Sequence, residues 1–155
     1  MHVRLVVPAD WTVRSDSGLS LSKLDGVTYN QGSGTISDAA QINVEHVDAT
    51  PCGQISGSSD WTLANTDANC FLSLGTLNPV SGAPTTQTLA GVVWQRAEFI
   101  HPPGQSTAIA EHVVVFAVHH NGMAYVIATA CADSVWATIY PTWIMPILST
   151  LQFTQ

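Results

Sequence analysis

The sequence predicts an α+β fold in which a central, mainly antiparallel sheet is covered on both faces. Asn121-Gly122 stands between two apolar runs, and this dipeptide favours a two-residue hairpin because a type I′ turn needs positive φ at both positions. Residues 113–118 and 124–128 are apolar on both faces of that hairpin, which is typical of central strands. A helical period near the C terminus adds a helix to the cover. Its apolar positions are Ile144, Ile147, Leu148 and Leu151, spaced i, i+3, i+4 and i+7.

The composition indicates one compact domain spanning residues 1–155. Apolar residues make up 46% of the chain and charged residues 10%, which excludes intrinsic disorder. Four Lys and Arg against eleven Asp and Glu give a net charge of -7. A chain without a basic field cannot neutralise phosphates, so nucleic acid and anionic lipid are excluded as partners.

The apolar runs are too short for a membrane-spanning helix. None reaches the about 20 residues that such a helix needs, so we expect no membrane span in this chain. The opening MHVRLVVP enters a strand directly and has no basic region followed by an apolar one. Removal of a leader or lipid-anchor segment is one explanation of this opening, and the sequence leaves that question open.

The N-terminal third predicts short extended segments separated by turns. Pro8 ends the first extended segment because proline removes a hydrogen-bond donor from a strand. Asp25-Gly26 predicts a turn, and the polar run YNQGSGTISD, residues 29–38, predicts a loop. The extended segments are residues 3–8, 11–16 and 40–49, the last with alternating apolar side chains.

A loop-rich segment in the middle of the chain holds two of the three cysteines. The run SSD at residues 58–60 offers N-cap chemistry for a short helix over residues 61–69. Cys52 and Cys70 bracket this segment, and a disulfide between them would stabilise the fold by about 3 kcal/mol. The alternative is two buried thiols. Cys131, at the end of an apolar strand, is expected to be a small core residue.

Three strands and a broken helix are predicted in the C-terminal half. Residues 78–88, NPVSGAPTTQT, predict an exposed connection. The strands after it are residues 89–100, 111–120 and 123–131. Asp133 or Ser134 is expected to cap the helix. Pro141 and Pro146 each remove a donor and clash with the preceding turn, so the helix should be kinked or in two pieces, with Pro141 opening the second.

The hairpin register argues against a metal site at the adjacent histidines. The predicted pairs are His120–Met123, Val118–Tyr125, Phe116–Ile127 and His112–Cys131. His119 and His120 lie on opposite faces of the strand. His112 is eight residues from His120, about 26 Å along a strand. A metal would need His112 beside its cross-strand cysteine, or a distant histidine such as His46 or His101. We therefore expect exposed imidazoles at the tip, with no metal and no cofactor.

Charged dyads on three predicted strands form the candidate polar cluster. They would make an acid–base site only if those strands were neighbours around a concave surface, and ion pairs on sheet faces are commoner at such positions. The candidate residues are Glu45, His46, Glu98 with nearby Arg96, Glu111 and His112. The motifs G-x-S-x-G, G-x-x-x-x-G-K-[ST] and H-E-x-x-H are absent from the sequence. We therefore assign no catalytic residue and favour a chain that is not an enzyme.

Three segments of the chain resemble those of one fold family. They are the opening VVPADW, the hairpin HHNGMAYVIATA and the ending YPTWIMPILSTLQF. These segments resemble the PsbP-like proteins, which share a fold with the Ran-binding Mog proteins, the DcrB-type lipoproteins and the mycobacterial LpqN lipoproteins. Leu151 stands where an aromatic residue would be usual, and the middle segment with its cysteine pair does not match. The resemblance implies an α/β/α sandwich, with helices on both faces of a central antiparallel sheet.

The resemblance also implies a non-catalytic accessory or protein-binding domain. Members of the family bind photosystem subunits, a small GTPase, or host or envelope partners, so no functional residue carries over. Many members are exported or membrane-anchored, which agrees with the single lysine, Lys23, and with the disulfide considered above. The alternatives are a small metal-dependent or hydrolytic enzyme that uses the Glu and His cluster, and a chaperone-like subunit that binds apolar helices. The identity of the protein partner and the oligomeric state stay open.

Overall fold

An eight-stranded antiparallel sheet is the main feature of the computed structural model. The structure describes residues 2–14, 19–31, 34–46, 78–80, 85–103, 109–121 and 123–154. The strands are β1 (His2–Arg4), β2 (Thr12–Arg14), β3 (Leu19–Gln31), β4 (Gly34–His46), β5 (Asn78–Pro79), β6 (Thr85–Leu89), β7 (Val92–His101), β8 (Glu111–His120), β9 (Met123–Ala132) and β10 (Gln152–Thr154). The large sheet has the order β2-β3-β4-β9-β8-β7, with β5 and β6 both paired to β7. The first and last strands, β1 and β10, form a separate antiparallel pair.

The β8–β9 hairpin is confirmed in its predicted register. The backbone pairs are His120–Met123, Val118–Tyr125, Phe116–Ile127 and His112–Cys131. Asn121 has φ 51°, the left-handed conformation that a type I′ turn requires at its first central position. Because β7 and β4 flank this hairpin, it occupies the centre of the sheet.

Both faces of the β8–β9 hairpin are buried, as the apolar pattern predicts. On one face, Val114, Phe116 and Ile127 are 0% exposed and belong to a cluster with the apolar side chains of the C-terminal helical segment. On the opposite face, Val115 and Val126 are also 0% exposed. Burial on both sides explains why these strands carry continuous apolar runs instead of alternating with polar residues.

The helical segment consists of four consecutive pieces and lies on the Phe116 face of the sheet. The pieces are a 3₁₀ turn (Asp133–Val135), helix α1 (Trp136–Ile139), a π-helical turn (Tyr140–Ile144) and helix α2 (Met145–Leu148). A kinked helix or two helical pieces were predicted, and the interruption occurs where Pro141 and Pro146 remove backbone donors. Pro141 was expected to open the second piece; it lies instead near the start of the π-helical turn, and Pro146 lies near the start of helix α2. The predicted apolar face is confirmed, since its four positions are buried: Ile144, Ile147, Leu148 and Leu151.

The predicted helix cap is wrong. Neither Asp133 nor Ser134 is the N-cap residue, and no side chain bonds to the backbone at that end. Asp133 lies inside the 3₁₀ turn, and its carboxylate contacts His112 on β8 instead. The sequence could not show this because the competing partner comes from another strand.

Two predictions about the N-terminal third are corrected by the β3–β4 ribbon. Asp25-Gly26 lies inside β3 and is not a turn. The ladder pairs Leu24 with Asp38 and resumes at Tyr29 with Ile36, so four residues of β3 stand against one of β4. Such a bulge tolerates Asp and Gly within a strand. The polar run at residues 29–38 also belongs mostly to this ribbon, which pairs as far as Gln31 with Gly34.

A hairpin between β6 and β7 replaces part of the predicted exposed connection. Ala90 has φ 54° and Gly91 has φ 73°, so both central residues of this turn are left-handed. The predicted continuous strand over residues 89–100 is therefore wrong, because it contains this turn. Alanine does not favour the left-handed conformation, so the residue pattern did not indicate this turn.

The predicted cover of the sheet is confirmed on one face. The described helical segment covers the Phe116 face, and the second helical layer remains a prediction. The predicted helix over residues 61–69 and the Cys52–Cys70 disulfide lie outside the described residues. Among the residues that the structure describes, no helix is long and apolar enough to cross a membrane.

We predict that Phe116→Ala lowers the free energy of unfolding by about 3–5 kcal/mol, because it removes a fully buried ring from the centre of the core. Val93→Ala is the control, since Val93 is 59% exposed and its change should stay within about 0.5 kcal/mol. Urea denaturation measures both values. Equal effects of the two substitutions would contradict a core centred on the hairpin.

Candidate functional site

A buried polar cluster lies where β7 and β8 meet the start of the helical segment. His112 pairs with Ile100 across these strands, and Glu98 pairs with Val114, so Glu98 and His112 are diagonal neighbours on one face of the sheet. Arg96 lies on the same face as Glu98 because alternate residues of a strand share a face. The strand period therefore assembles three polar side chains on the Phe116 face of the sheet.

His112 is bonded at both ring nitrogens to carboxylates. Its Nε2 lies 2.7 Å from Oε1 of Glu98, and its Nδ1 lies 2.8 Å from Oδ1 of Asp133. The residue is 6% exposed. Its ring also stacks on the indole of Trp136, with the ring centroids 3.9 Å apart and the planes at 4°. One imidazole therefore contacts β7, the 3₁₀ turn and helix α1.

The pKa of Glu98 is lowered from its ordinary value of 4.5. Burial is the largest single influence and raises the pKa, but hydrogen bonds from His112 and Arg96, with their charges, together outweigh it. The Arg96 guanidinium forms an ion pair with the second oxygen of this carboxylate. Glu98 is therefore held as a carboxylate between two donors.

Tyr140 extends the ring stack of the cluster. Its ring lies 4.0 Å from that of Trp136. Its hydroxyl is buried and makes no hydrogen bond of good geometry. Burial raises the pKa of Tyr140, and the nearby Arg96 guanidinium partly opposes that effect. Tyr140 thus remains a neutral phenol at physiological pH.

The structure divides the five residues of the predicted polar cluster. It brings Glu98 and His112 together, whereas Glu111 lies on the opposite face and contacts Nδ1 of His101 at 3.1 Å. The backbones of the other two candidates, Glu45 and His46, pair with Val126 and Tyr125 of β9. His112 pairs with Cys131. Cys131 lies six positions along β9 from Tyr125, the partner of His46, which is a distance of about 20 Å.

The environment of His112 leaves neither ring nitrogen available for chemistry. A catalytic imidazole needs one nitrogen directed at a substrate or nucleophile, and a metal ligand needs one directed at the ion. Both nitrogens of His112 contact carboxylates within 2.8 Å. In the described part of the chain, no group of three or more His, Cys, Asp or Glu side chains is placed to hold a metal ion. The cluster therefore has the geometry of a structural network.

A surface groove lies at the other end of the hairpin. Its volume is about 420 Å³, and it lies between the β6–β7 turn, the tip of the β8–β9 hairpin and β10. The lining residues are Ala90, Val92, His120, Leu151, Gln152 and Phe153. This volume is within the range of small-molecule sites, although the groove is largely open to solvent.

Aromatic packing forms one wall of the groove. The His120 ring stacks on Phe153 with centroids 4.1 Å apart. The Phe153 ring in turn packs against Tyr125 at 5.1 Å and Trp94 at 6.0 Å. Asn121 Nδ2 donates to Nε2 of His120 at 3.3 Å. The groove therefore presents the imidazole of His120, the ring of Phe153 and the amide of Gln152. The Phe153 ring is held in place by its contacts with Tyr125 and Trp94.

Sequence reasoning missed this groove. Both tip histidines were expected to be exposed; His119 is exposed, but His120 is half-buried against Phe153. Phe153 lies on β10, which pairs with β1, and its ring contacts His120 at the tip of the hairpin. β1 and β10 are far apart in sequence, so no pattern of neighbouring residues predicts their pairing or the position of Phe153.

Comparison with known proteins shows the fold but no close relative. No protein-family model and no curated protein matches the sequence. The structure is similar to LpqN of Mycobacterium tuberculosis, which is involved in cell envelope biogenesis; the TM-score is 0.56 at 16% identity, covering 99% of this chain and 83% of LpqN. It is similar to the cyanobacterial PsbP, CyanoP, of Synechocystis, with a TM-score of 0.58 at 9% identity, covering 98% of this chain and 86% of CyanoP.

A third similar structure is PA94, a protein of unknown function from Pseudomonas aeruginosa. The TM-score is 0.51 at 10% identity, and the match covers 95% of this chain and all of PA94 (100%). At these identities the similarity concerns the fold alone. The resemblance seen in the sequence is confirmed at that level.

We predict that Glu98→Gln flattens the acid dependence of stability. The lowered pKa means that the Glu98 carboxylate stabilises the fold fully above its ordinary 4.5, and that this stabilisation is lost as pH falls through the lowered pKa. Wild-type protein should therefore lose unfolding free energy as the solution is acidified below about pH 5, and the variant, less stable at neutral pH, should lose less. Urea denaturation at a series of pH values measures this. Parallel curves would contradict it.

We predict that the Cys131 thiol is unreactive in the folded protein. Burial, followed by the charges of Asp133 and Glu111, raises its pKa to about 12. The thiolate is the reactive form, so iodoacetamide at about pH 8 should label Cys131 only after denaturation. Peptide mass spectrometry of native and urea-treated samples measures this labelling. Rapid native labelling would show that the thiol is accessible.

Proposed function

We propose that this chain, which has a PsbP-like, LpqN-type fold, is a non-catalytic accessory domain that binds a protein partner outside the cytoplasm. The observation that carries the proposal is the environment of His112, whose two ring nitrogens both contact carboxylates. The imidazole best placed for acid–base work therefore belongs to the scaffold. The role of LpqN in cell envelope biogenesis supports an accessory role.

The proposed location outside the cytoplasm rests on the neighbours and on composition. LpqN is involved in cell envelope biogenesis. The sequence has a single lysine, Lys23, and carries the Cys52 and Cys70 pair whose disulfide would form in an oxidising compartment. We propose an exported protein or lipoprotein on these grounds.

We also keep the full α/β/α sandwich, with a second helical layer over Val115 and Val126, as part of the proposal.

The groove at the hairpin tip is the proposed contact surface. It is concave and lined by a half-buried imidazole, an aromatic ring and an exposed amide. Pockets of this kind accept an apolar anchor and fix its orientation through a few polar groups. Phe153 packs against Trp94 and Tyr125, and His120 stacks on Phe153, so we infer that the surface is preformed.

The two alternative functions draw less support. An enzyme built on the Glu and His cluster would need Glu45 and His46 beside His112, and their backbones pair about 20 Å along β9 from it. A chaperone-like subunit would need a broad apolar surface. The large apolar side chains that the described residues expose, Val6, Val13, Val80 and Val93, belong to separate segments of the chain.

We predict that a photo-reactive amino acid at Gln152 cross-links the native protein to one partner in cells of its source organism. The residue is exposed at the groove, so a bound partner lies within reach of its side chain. Thr138, exposed on helix α1, is the control position and should give no adduct. Mass spectrometry of the adduct identifies the partner, and cell fractionation locates it. Equal cross-linking at both positions would contradict the groove as contact surface.

The partner identified in this way allows a quantitative test with His120→Ala. Loss of the ring should weaken binding about tenfold, which corresponds to about 1.4 kcal/mol. His119→Ala is the matched control, because it removes the adjacent imidazole on the opposite face of β8. Unchanged affinity in His120→Ala, or turnover of a substrate that requires His112, would overturn the proposal.

A further inference from the structure

His112 connects the sheet to the start of the helical segment. Its ring lies between Glu98 on β7 and Asp133 in the 3₁₀ turn, at 2.7 and 2.8 Å. It also stacks on Trp136, the first residue of helix α1, at 3.9 Å. One ionisable side chain therefore contacts β7 and two consecutive pieces of the helical segment.

The protonation state of an imidazole determines how many carboxylates it can bind. An ionised carboxylate only accepts hydrogen bonds, so each contact of His112 requires a hydrogen on the ring nitrogen. A neutral imidazole carries one such hydrogen and the imidazolium carries two. The two contacts are therefore satisfied together only when His112 is protonated, and then each is a charge-assisted bond.

We propose that His112 is a proton-operated clasp that fastens the start of the helical segment to the sheet. The protonated ring holds Glu98 and Asp133 together. When the ring loses a proton, one nitrogen presents its lone pair to a carboxylate oxygen, and that contact becomes repulsive. The clasp then opens on that side.

The side that opens is the Asp133 side. The Asp133 side chain is 44% exposed, so it can rotate into water at little cost. The Glu98 side chain is 18% exposed and is held by Arg96 as well as by His112. The neutral ring therefore keeps its hydrogen on Nε2 for Glu98. The 3₁₀ turn loses its side-chain bond to His112, and the backbone bond from Asp133 N–H to Ala110 O remains.

The other ionisable groups around the ring do not compete in the range in which imidazoles titrate, about pH 5 to 8. On β7, Arg96 pairs with Glu98, whose pKa is lowered below 4.5. On β9, burial raises the pKa of Cys131 to about 12. The pKa of Tyr140 in the π-helical turn is raised by burial. On β8 itself, Glu111 lies on the opposite face and contacts His101.

Hydrogen exchange of the backbone amides of residues 136–139 tests the clasp. Exchange rates are converted to protection factors, which remove the intrinsic effect of pH. The wild-type protection factors should fall about tenfold between pH 5.5 and 8.5, because opening of the clasp raises the population in which the helix start is undocked. Asp133→Asn should abolish this fall. Its amide accepts from the protonated ring through Oδ1 and donates to the neutral ring through Nδ2, so the contact survives in both states.

Two histidine variants complete the test. His101→Gln is the matched control, because His101 is a buried imidazole with one carboxylate contact on the opposite face, and it should keep the wild-type fall. His112→Gln should lose the fall. If His112→Gln does not fold, Asp133→Asn decides the outcome alone. Constant protection in the wild-type protein, or an unchanged fall in Asp133→Asn, would overturn the clasp; neither result depends on the proposed binding function.

Discussion

Burial of both faces of the β8–β9 hairpin is the constraint on which the rest of the structure depends. Val115 and Phe116 are neighbours on β8, point to opposite faces and are both 0% exposed. A strand in this position must have a partner strand on each edge, which β7 and β4 provide. It must also be covered from both sides, and the broken C-terminal helical segment supplies the cover on the Phe116 face. These two demands position β4, β7 and the helical segment.

The same burial explains why the polar cluster is saturated. A histidine on an interior face of the sheet loses water at both nitrogens, and an unpaired polar atom there costs about 1–3 kcal/mol. His112 therefore takes a carboxylate at each nitrogen, one from β7 and one from the 3₁₀ turn. The two carboxylate contacts allow the imidazole of His112 to be buried. They also occupy both nitrogens, so neither is directed at a substrate or a metal ion. It leaves protonation as the one chemical property through which this residue can act.

The hairpin supports two regions of different character at its two ends. At the end near Glu111, polar side chains are enclosed between the sheet and the helical segment. At the tip, His120 and Phe153 form an open wall between the ends of several strands. An enclosed network favours stability and switching, whereas an open preformed groove favours binding. The PsbP-like fold thus separates the proposed regulatory residue from the proposed contact surface.

Local patterns were enough to predict the hairpin with its register, the apolar face of the helix and the interruption at its prolines. Each depends on residues close in sequence: a turn dipeptide, a period or a missing donor. The same reasoning failed at Asp25-Gly26, which a bulge accommodates, and at Ala90, which a hairpin holds at positive φ. Only the tertiary structure decided that Glu98, His112 and Asp133 meet, since these contacts span 14 and 21 residues. It also decided that Phe153 contacts His120 at the hairpin tip. The pairing of distant strands depends on burial across the whole sheet, and no local sequence pattern encodes that burial.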